Sequence, residues 1–337
     1  MRSLTFTFLF LLINVLHVQA QRRAEIAVSG GVTNYVGDLA NEALFPYSSA
    51  RTGAAITFRN FAGNPRIRYK TIDPYVRLSW HRLQYDESSP LGGKQGIELR
   101  NYRRGLGFRN DLLGGEAGIT YNVFLNRNQP LWKPSFSFFF TAGVGVFNGR
   151  PKADLFRGNV ALDSRYYFWQ DGTLRDRPEN PQGAGTIVEK DGVYETDLQQ
   201  WRTEGQGYSK ETKSATPYSL WNIGIPLGGG IRYVLNKQWT LSAEFDYYYF
   251  FTDYLDDVSD GYATYEELRA AFPDDGRFEL AKYISDPTGW GTNGYVGPYT
   301  SIRGNPDLKD AFTYVSFEVA YKFVWKKAGI YGQMSSR

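Results

Sequence analysis

The chain has no cysteine and only two histidines in 337 residues. Without thiols there is no disulfide, no thiolate metal site and no lipid on an N-terminal cysteine. An exported chain of this kind must take its stability from its fold alone. His17 lies in a leader expected to be removed, which leaves His81 as the one imidazole for acid–base work near neutral pH. A long apolar run beyond the leader is also missing, and this excludes helical membrane spans. Charge of one sign is missing too. The 38 basic and 35 acidic residues leave a net +3, a balance that gives no reason to expect a nucleic-acid or acidic partner.

Aromatic residues, by contrast, are abundant. There are 25 Tyr, 23 Phe and 8 Trp, or 17% of the chain, against a mean hydropathy of −0.44. A polar average with many rings fits a membrane barrel whose strands alternate lipid-facing and lumen-facing residues. The N-terminus agrees. Met1-Arg2 is basic, Leu4–Val18 is apolar, and Val18-Gln19-Ala20 offers small residues for a signal peptidase. We expect a signal peptide over residues 1–20, because the run is shorter than the ~20 residues that span a bilayer. A barrel over 21–325 and a tail over 326–337 follow.

Period-two alternation marks eight expected strands: Ala24–Val32, Gly53–Arg59, Tyr75–Arg82, Gly115–Phe124, Ser135–Phe147, Ser219–Val234, Trp239–Tyr249 and Thr313–Val324. In the third, for example, Val76, Leu78 and Trp80 face one way and Arg77, Ser79 and His81 the other. Pro226 cannot donate to a ladder and suggests a bulge. The fold class is all-β, a transmembrane antiparallel up-and-down barrel. Connection lengths support it. The candidates 34–52, 83–113, 148–218 and 250–312 are long, whereas 60–74, 125–134 and 235–238 are short. Outer-membrane barrels have long external loops and short periplasmic turns. Tyr233, Trp239, Phe323 and Trp325 are expected in a periplasmic aromatic belt, and Trp80, Trp221, Phe250 and Phe251 in the outer one.

The inward faces carry Glu25, Arg59, Arg77, Glu116, Arg232, Glu244, Asp246, Glu318 and Lys322. An eight-stranded barrel is just wide enough to be filled by side chains. Buried charges must pair, so this set reads as a polar core that plugs the lumen, with Arg77, Arg232 and Lys322 on inward carboxylates. An ion path is the alternative. His81 sits near the outer rim without a serine or acid whose context marks it as a partner, so catalysis is not expected. Asp253, Asp256, Asp257, Asp274 and Asp275 have no EF-hand spacing and read as a solvated loop rather than a calcium site. Gly228-Gly229-Gly230 lacks the Lys-Ser/Thr of a phosphate loop and reads as close packing in a strand. Tyr166-Tyr167-Phe168-Trp169 either binds sugar or protein, or packs its own loop.

Several stretches carry a family likeness. They are Gly30–Leu39, Thr203-Glu204-Gly205-Gln206-Gly207, Ile225–Tyr233, Phe251–Ser259 with its Asp-Tyr-Leu-Asp-Asp core, and the closing Val319-Ala320-Tyr321-Lys322-Phe323. In this order, over nearly the whole mature chain, the sequence resembles the PorG-like outer-membrane proteins associated with the type IX secretion system. The resemblance implies a non-catalytic barrel that anchors periplasmic ring proteins of that machine. It implies no cofactor and no small-molecule substrate. Expected partners are outer-membrane lipids and the ring proteins. Candidate docking residues are Arg66, Arg68 and Lys70 on a periplasmic turn and Lys326 and Lys327 on the tail. A surface adhesin or receptor acting through the long loops, and a small pore, are the alternatives.

Overall fold

The computed structural model describes residues 22–39, 49–59, 71–88, 97–125, 134–208, 217–291 and 303–325. The expected leader, the tail and the basic set Arg66, Arg68, Lys70, Lys326 and Lys327 lie outside the described residues. Eight long strands form the barrel: β1 (Arg22–Val36), β2 (Arg51–Arg59), β3 (Ile72–Asp86), β4 (Gly107–Phe124), β5 (Ser135–Asn148), β6 (Trp221–Val234), β7 (Trp239–Phe250) and β8 (Ala311–Trp325). Each pairs antiparallel with the next, and β8 pairs with β1 from Arg22 opposite Trp325 to Val36 opposite Ala311. That pairing closes the sheet, so no barrel edge is left to aggregate.

The polarity of the wall is inverted relative to a water-soluble core. Outward Val28, Leu78 and Phe317 are 59%, 65% and 75% exposed, while inward Glu25, Arg77 and Glu116 are buried. A continuous apolar exterior around a closed barrel is stable against acyl chains, not against water. The chain is therefore a transmembrane β-barrel.

Above the lipid band this pattern reverses, and β3 and β4 run on. Leu83, Phe108 and Leu112 turn inward and are buried, while Arg82, Arg109 and Asp111 face out. The expectation placed 83–113 in a loop; Leu83–Asp86 and Gly107–Leu113 are strand instead. Alternation survives there with its sign exchanged, because both faces have left the membrane.

Two smaller corrections concern single residues. Pro226 does not bulge the sheet. Pairing with β5 stops after Gly224 opposite Gly145 and resumes in the same register at Leu227 opposite Ala142, so the strand skips contacts without adding a residue. Phe250, expected in the outer belt, points inward and is buried against Phe147 at 5.2 Å between ring centroids. Phe251 is the exposed ring of that pair.

The long connections fold over one mouth as a cap. It contains α1 (Ile97–Arg104), α2 (Tyr265–Ala271) and α3 (Asp275–Ser285), with short two-residue ladders in 152–197. Thr264 and Glu267 form a capping box at the start of α2, and Asp274 accepts from the Arg277 amide to start α3. One apolar cluster runs from the upper lumen into the cap, joining Tyr35, Leu83, Phe147 and Phe312 to Leu155, Leu255, Val258 and Ile284. Barrel and cap thus share a core.

Candidate functional site

The lumen is built in layers. The lower layer centres on Arg59, which pairs with Glu318 and lies 3.5 Å from Glu25. Lys322 stands 3.9 Å from Glu25. Strand register explains the set, since Glu25 is opposite Arg59 on one side and Lys322 on the other. The middle layer centres on Arg77. Its Nη2 donates to both Glu244 carboxylate oxygens at 3.0 Å, and its Nη1 donates to Asp246 at 3.0 Å. Glu116, opposite it on β4, is 3.4 Å away. Arg77 Nε donates to Thr57 Oγ1 at 3.1 Å. One guanidinium thus serves three carboxylates. Gly228 makes the space, because a Cβ there would lie 1.9 Å from Asp246 Oδ1.

Arg232 departs from the expectation of a carboxylate partner. Its Nη1 donates to the Asn122 side-chain oxygen at 3.0 Å, and its guanidinium lies 4.5 Å from the Phe139 ring centroid. Its Nε also donates to Ser242 Oγ at 3.4 Å, so two neutral oxygens and a ring face hold this cation.

The upper layer is aromatic. His81 is enclosed by Tyr314, Phe312 and Tyr248 at 4.7, 4.8 and 5.3 Å between ring centroids. Neither imidazole nitrogen has a hydrogen-bond partner among the described residues. Among the described residues no acid or serine orients it, and they assemble no nucleophile–base pair around it. Nor does any group of three or more His, Cys, Asp or Glu among the described residues form a metal-holding cluster.

Side chains therefore occupy the lumen from the Arg59 layer to the cap. We expect the protein reconstituted in planar bilayers to show no steady conductance. A large stable channel in single-barrel recordings would show that these layers do not close the path.

The cap holds two further buried clusters, each built on one aspartate expected in a solvated loop, Asp257 in the first and Asp256 in the second. In the first, Arg303 reaches Glu204 at 3.2 Å and Asp257 at 3.3 Å, all three being buried. Thr203 Oγ1 and the Tyr218 hydroxyl donate to Asp257 at 2.6 and 2.7 Å. Tyr218 stacks on Tyr254 at 4.6 Å between centroids. Glu204 also accepts from the Ser259 amide at 2.9 Å. Burial pushes the Glu204 carboxyl up to about 7 even though Arg303 opposes the shift. One cation cannot hold two buried anions at full charge.

In the second, the Tyr35 hydroxyl lies 2.7 Å from both Asp256 Oδ2 and Asp310 Oδ1. A phenol has one proton to donate, so the second contact requires a proton on a carboxyl. Burial, with the neighbouring carboxylates, holds both acids well above the ordinary carboxylate range. These clusters tie β1, the 148–220 connection, the 251–310 connection and the start of β8 into one body. The sequence marked Thr203–Gly207 and Asp253–Asp257 separately and gave no sign that they meet.

The Tyr166–Trp169 run is not offered to solvent. Tyr166, Phe168 and Trp169 are buried, and Trp169 stacks under Arg175 at 4.1 Å. It packs its own loop. Asp274 and Asp275, by contrast, are exposed around the start of α3.

No family model and no curated protein matches the sequence. Among solved structures, Neisserial surface protein A is similar at 9% identity, covering 89% of this chain and 97% of that one, with a TM-score of 0.34. Ail, the attachment invasion locus protein of Yersinia pestis, is similar at 7% identity, with 90% and 100% covered and a TM-score of 0.30. The outer membrane protein OprG from Pseudomonas aeruginosa gives 11% identity, 91% and 99% coverage and a TM-score of 0.30. With scores this low, the fold rests on the chain's own strand ladder.

Proposed function

We propose that this is a non-catalytic outer-membrane barrel, closed to ions, that works as a surface receptor or adhesin through its folded external cap. The cap carries this reading. A lumen already filled by its own side chains needs no lid, yet the long connections spend two buried charge clusters and a shared core on a fixed shape. Fixed loops on a rigid scaffold are how binding surfaces are built.

A second reading follows from the resemblance to the PorG-like proteins. Two of the segments that carry it, Thr203–Gly207 and Phe251–Ser259, are joined through Asp257, Glu204 and Ser259. In that reading the barrel is a component of the type IX secretion machinery. It anchors periplasmic ring proteins through the short-turn end, with Arg66, Arg68, Lys70, Lys326 and Lys327 as the docking candidates.

The absence of cysteine permits one experiment for both. Single cysteines at Ile187 and Val193, both exposed on the cap, and at Lys237 on the opposite turn, carry a photo-crosslinker in living cells. We expect macromolecular adducts from Ile187→Cys and Val193→Cys. Adducts confined to Lys237→Cys would reject the receptor reading in favour of the anchor.

A further inference from the structure

We propose that the outer face of β3 and β4, just above the lipid band, binds the phosphate of a phosphorylated lipid in the surrounding leaflet. The strand register stacks this face in rows. Trp80, Leu113, Asn148 and Trp221 are consecutive cross-strand partners and form one row. Trp221 and Leu113 are 65% and 64% exposed. Indole rings at the end of an apolar band mark the level where headgroups begin. One row further out, Arg82 is opposite Asp111, and beyond it Gln84, Arg109 and Lys152 are aligned. Each row rises about 7 Å, so Arg82 and Arg109 stand at headgroup height.

The charges there do not cancel. Asp111 is shared by two guanidiniums, with Arg82 Nε at 2.8 Å and Arg109 Nη2 at 3.0 Å. Arg82 and Arg109 remain about one-third exposed on their side chains, at 31% and 30%. The Nη1 of each makes no hydrogen bond among the described residues. Lys152 is exposed and adds a third cation. The neighbouring charges are already matched, Arg150 with Asp197 at 2.6 Å and Lys190 with Asp86 at 2.8 Å. Three cations against one carboxylate leave a local excess of positive charge. The shared carboxylate fixes the two forks, and the rings of Trp80 and Tyr194 lie 5.3 and 5.4 Å from them. Fixed guanidinium forks suit a phosphate. The outward positions at the upper end of β7 are Tyr247 and Tyr249, followed by Phe251, so the basic patch is confined to one side.

The membrane is the source of the phosphate because the apolar wall continues directly beneath. Leu78 and Leu113 are exposed under the cations and give acyl chains a surface while the headgroup meets Arg82 and Arg109.

The test uses the full mature protein in phosphatidylcholine nanodiscs. They are doped with an acylated, bisphosphorylated glucosamine disaccharide or with its dephosphorylated form, and retained lipid is counted by native mass spectrometry. We expect preferential retention of the phosphorylated lipid. Retention should fall about fivefold for each cation lost in Arg82→Gln, Arg109→Gln and Lys152→Gln. Arg177→Gln, on the exposed cap, should leave it unchanged. Heat-modifiable migration on gels controls for folding, and Lys152→Gln, at a solvated position, keeps the test valid if an arginine variant fails to fold. Equal retention of both lipids, or an unchanged preference in Lys152→Gln and the arginine variants, overturns the proposal. Displacement of the lipid by an equal concentration of inorganic phosphate overturns the membrane source.

Discussion

Replacing Arg77 by leucine is expected to destabilise the barrel by about 3–5 kcal/mol, because it leaves buried carboxylates without their cation. Glu244, Asp246 and Glu116 converge on this one guanidinium, and Arg77 is the only base within 4 Å of Glu244 or Asp246 among the described ion pairs. The loss should appear as a lower urea midpoint in refolding from lipid vesicles. Arg77→Lys should fall between, since an ammonium keeps the charge but cannot span Glu244 and Asp246 as a fork. Arg232→Leu makes the contrast. Its partners are Asn122, Ser242 and the Phe139 ring, and Glu318 and Glu25 keep Arg59, so no anion is left without a cation and the cost should be about 1–2 kcal/mol. Equal midpoints for Arg77→Leu and Arg232→Leu would show that the middle layer is wet and not a buried ion cluster.

That contrast also marks how far the sequence can be read. Inward placement of Arg77, Glu116, Glu244 and Asp246 follows from period two alone, because a strand has only two faces. Pairing does not follow from it. Arg77 meets Glu116 through register, but it meets Glu244 and Asp246 across the lumen, between strands that are not neighbours. Alternation cannot express a contact through the middle of a barrel. Arg232 escapes the pattern for the same reason, since face alone makes several inward carboxylates equally eligible partners.

The strand ends show a different limit. Above Trp80 the outward residues become Arg82 and Gln84 and the inward ones become His81 and Leu83. A reader who equates outward with apolar ends the strand there, although the ladder continues to Asp86. The rule had been tied to lipid, and the lipid stops before the strand does.

The cap was the least legible part. Glu204 and Arg303 are 99 residues apart, and Tyr35 and Asp310 are 275 apart. Clustered aspartates on a long connection normally face water. Here Asp256 and Asp257 are buried because Tyr35 at the end of β1 and Arg303, some 46 residues further along the same connection, supply their partners. Nothing in the local sequence of the 253–257 segment announces those partners.

The consequence for stability is a prediction about Arg303. Arg303→Met should loosen the cap by about 3–5 kcal/mol, because Glu204 and Asp257 lose their only ion-pair partner among the described residues and stay buried. The barrel ladder lies below these contacts and should stay folded. Limited proteolysis should therefore cut within 148–220 and 251–310 while the protein still migrates as a folded barrel. The effect should depend on pH in a definite direction. The ordinary value for Glu204 is 4.5 and burial raises it to about 7 in the folded cap. The folded state then binds more protons than the unfolded state between those values, so cap stability is full below about pH 4.5 and falls as pH rises through 7. Removing the guanidinium raises the carboxyls further and makes the variant's deficit greatest in alkali. At pH 5 Glu204 is neutral, less stranded charge remains, and protection should return in part. Protease resistance of Arg303→Met that is the same at pH 5 and pH 8 would mean that the deficit comes from lost packing around the arginine stem, and that the buried charges of the cap do not set its stability.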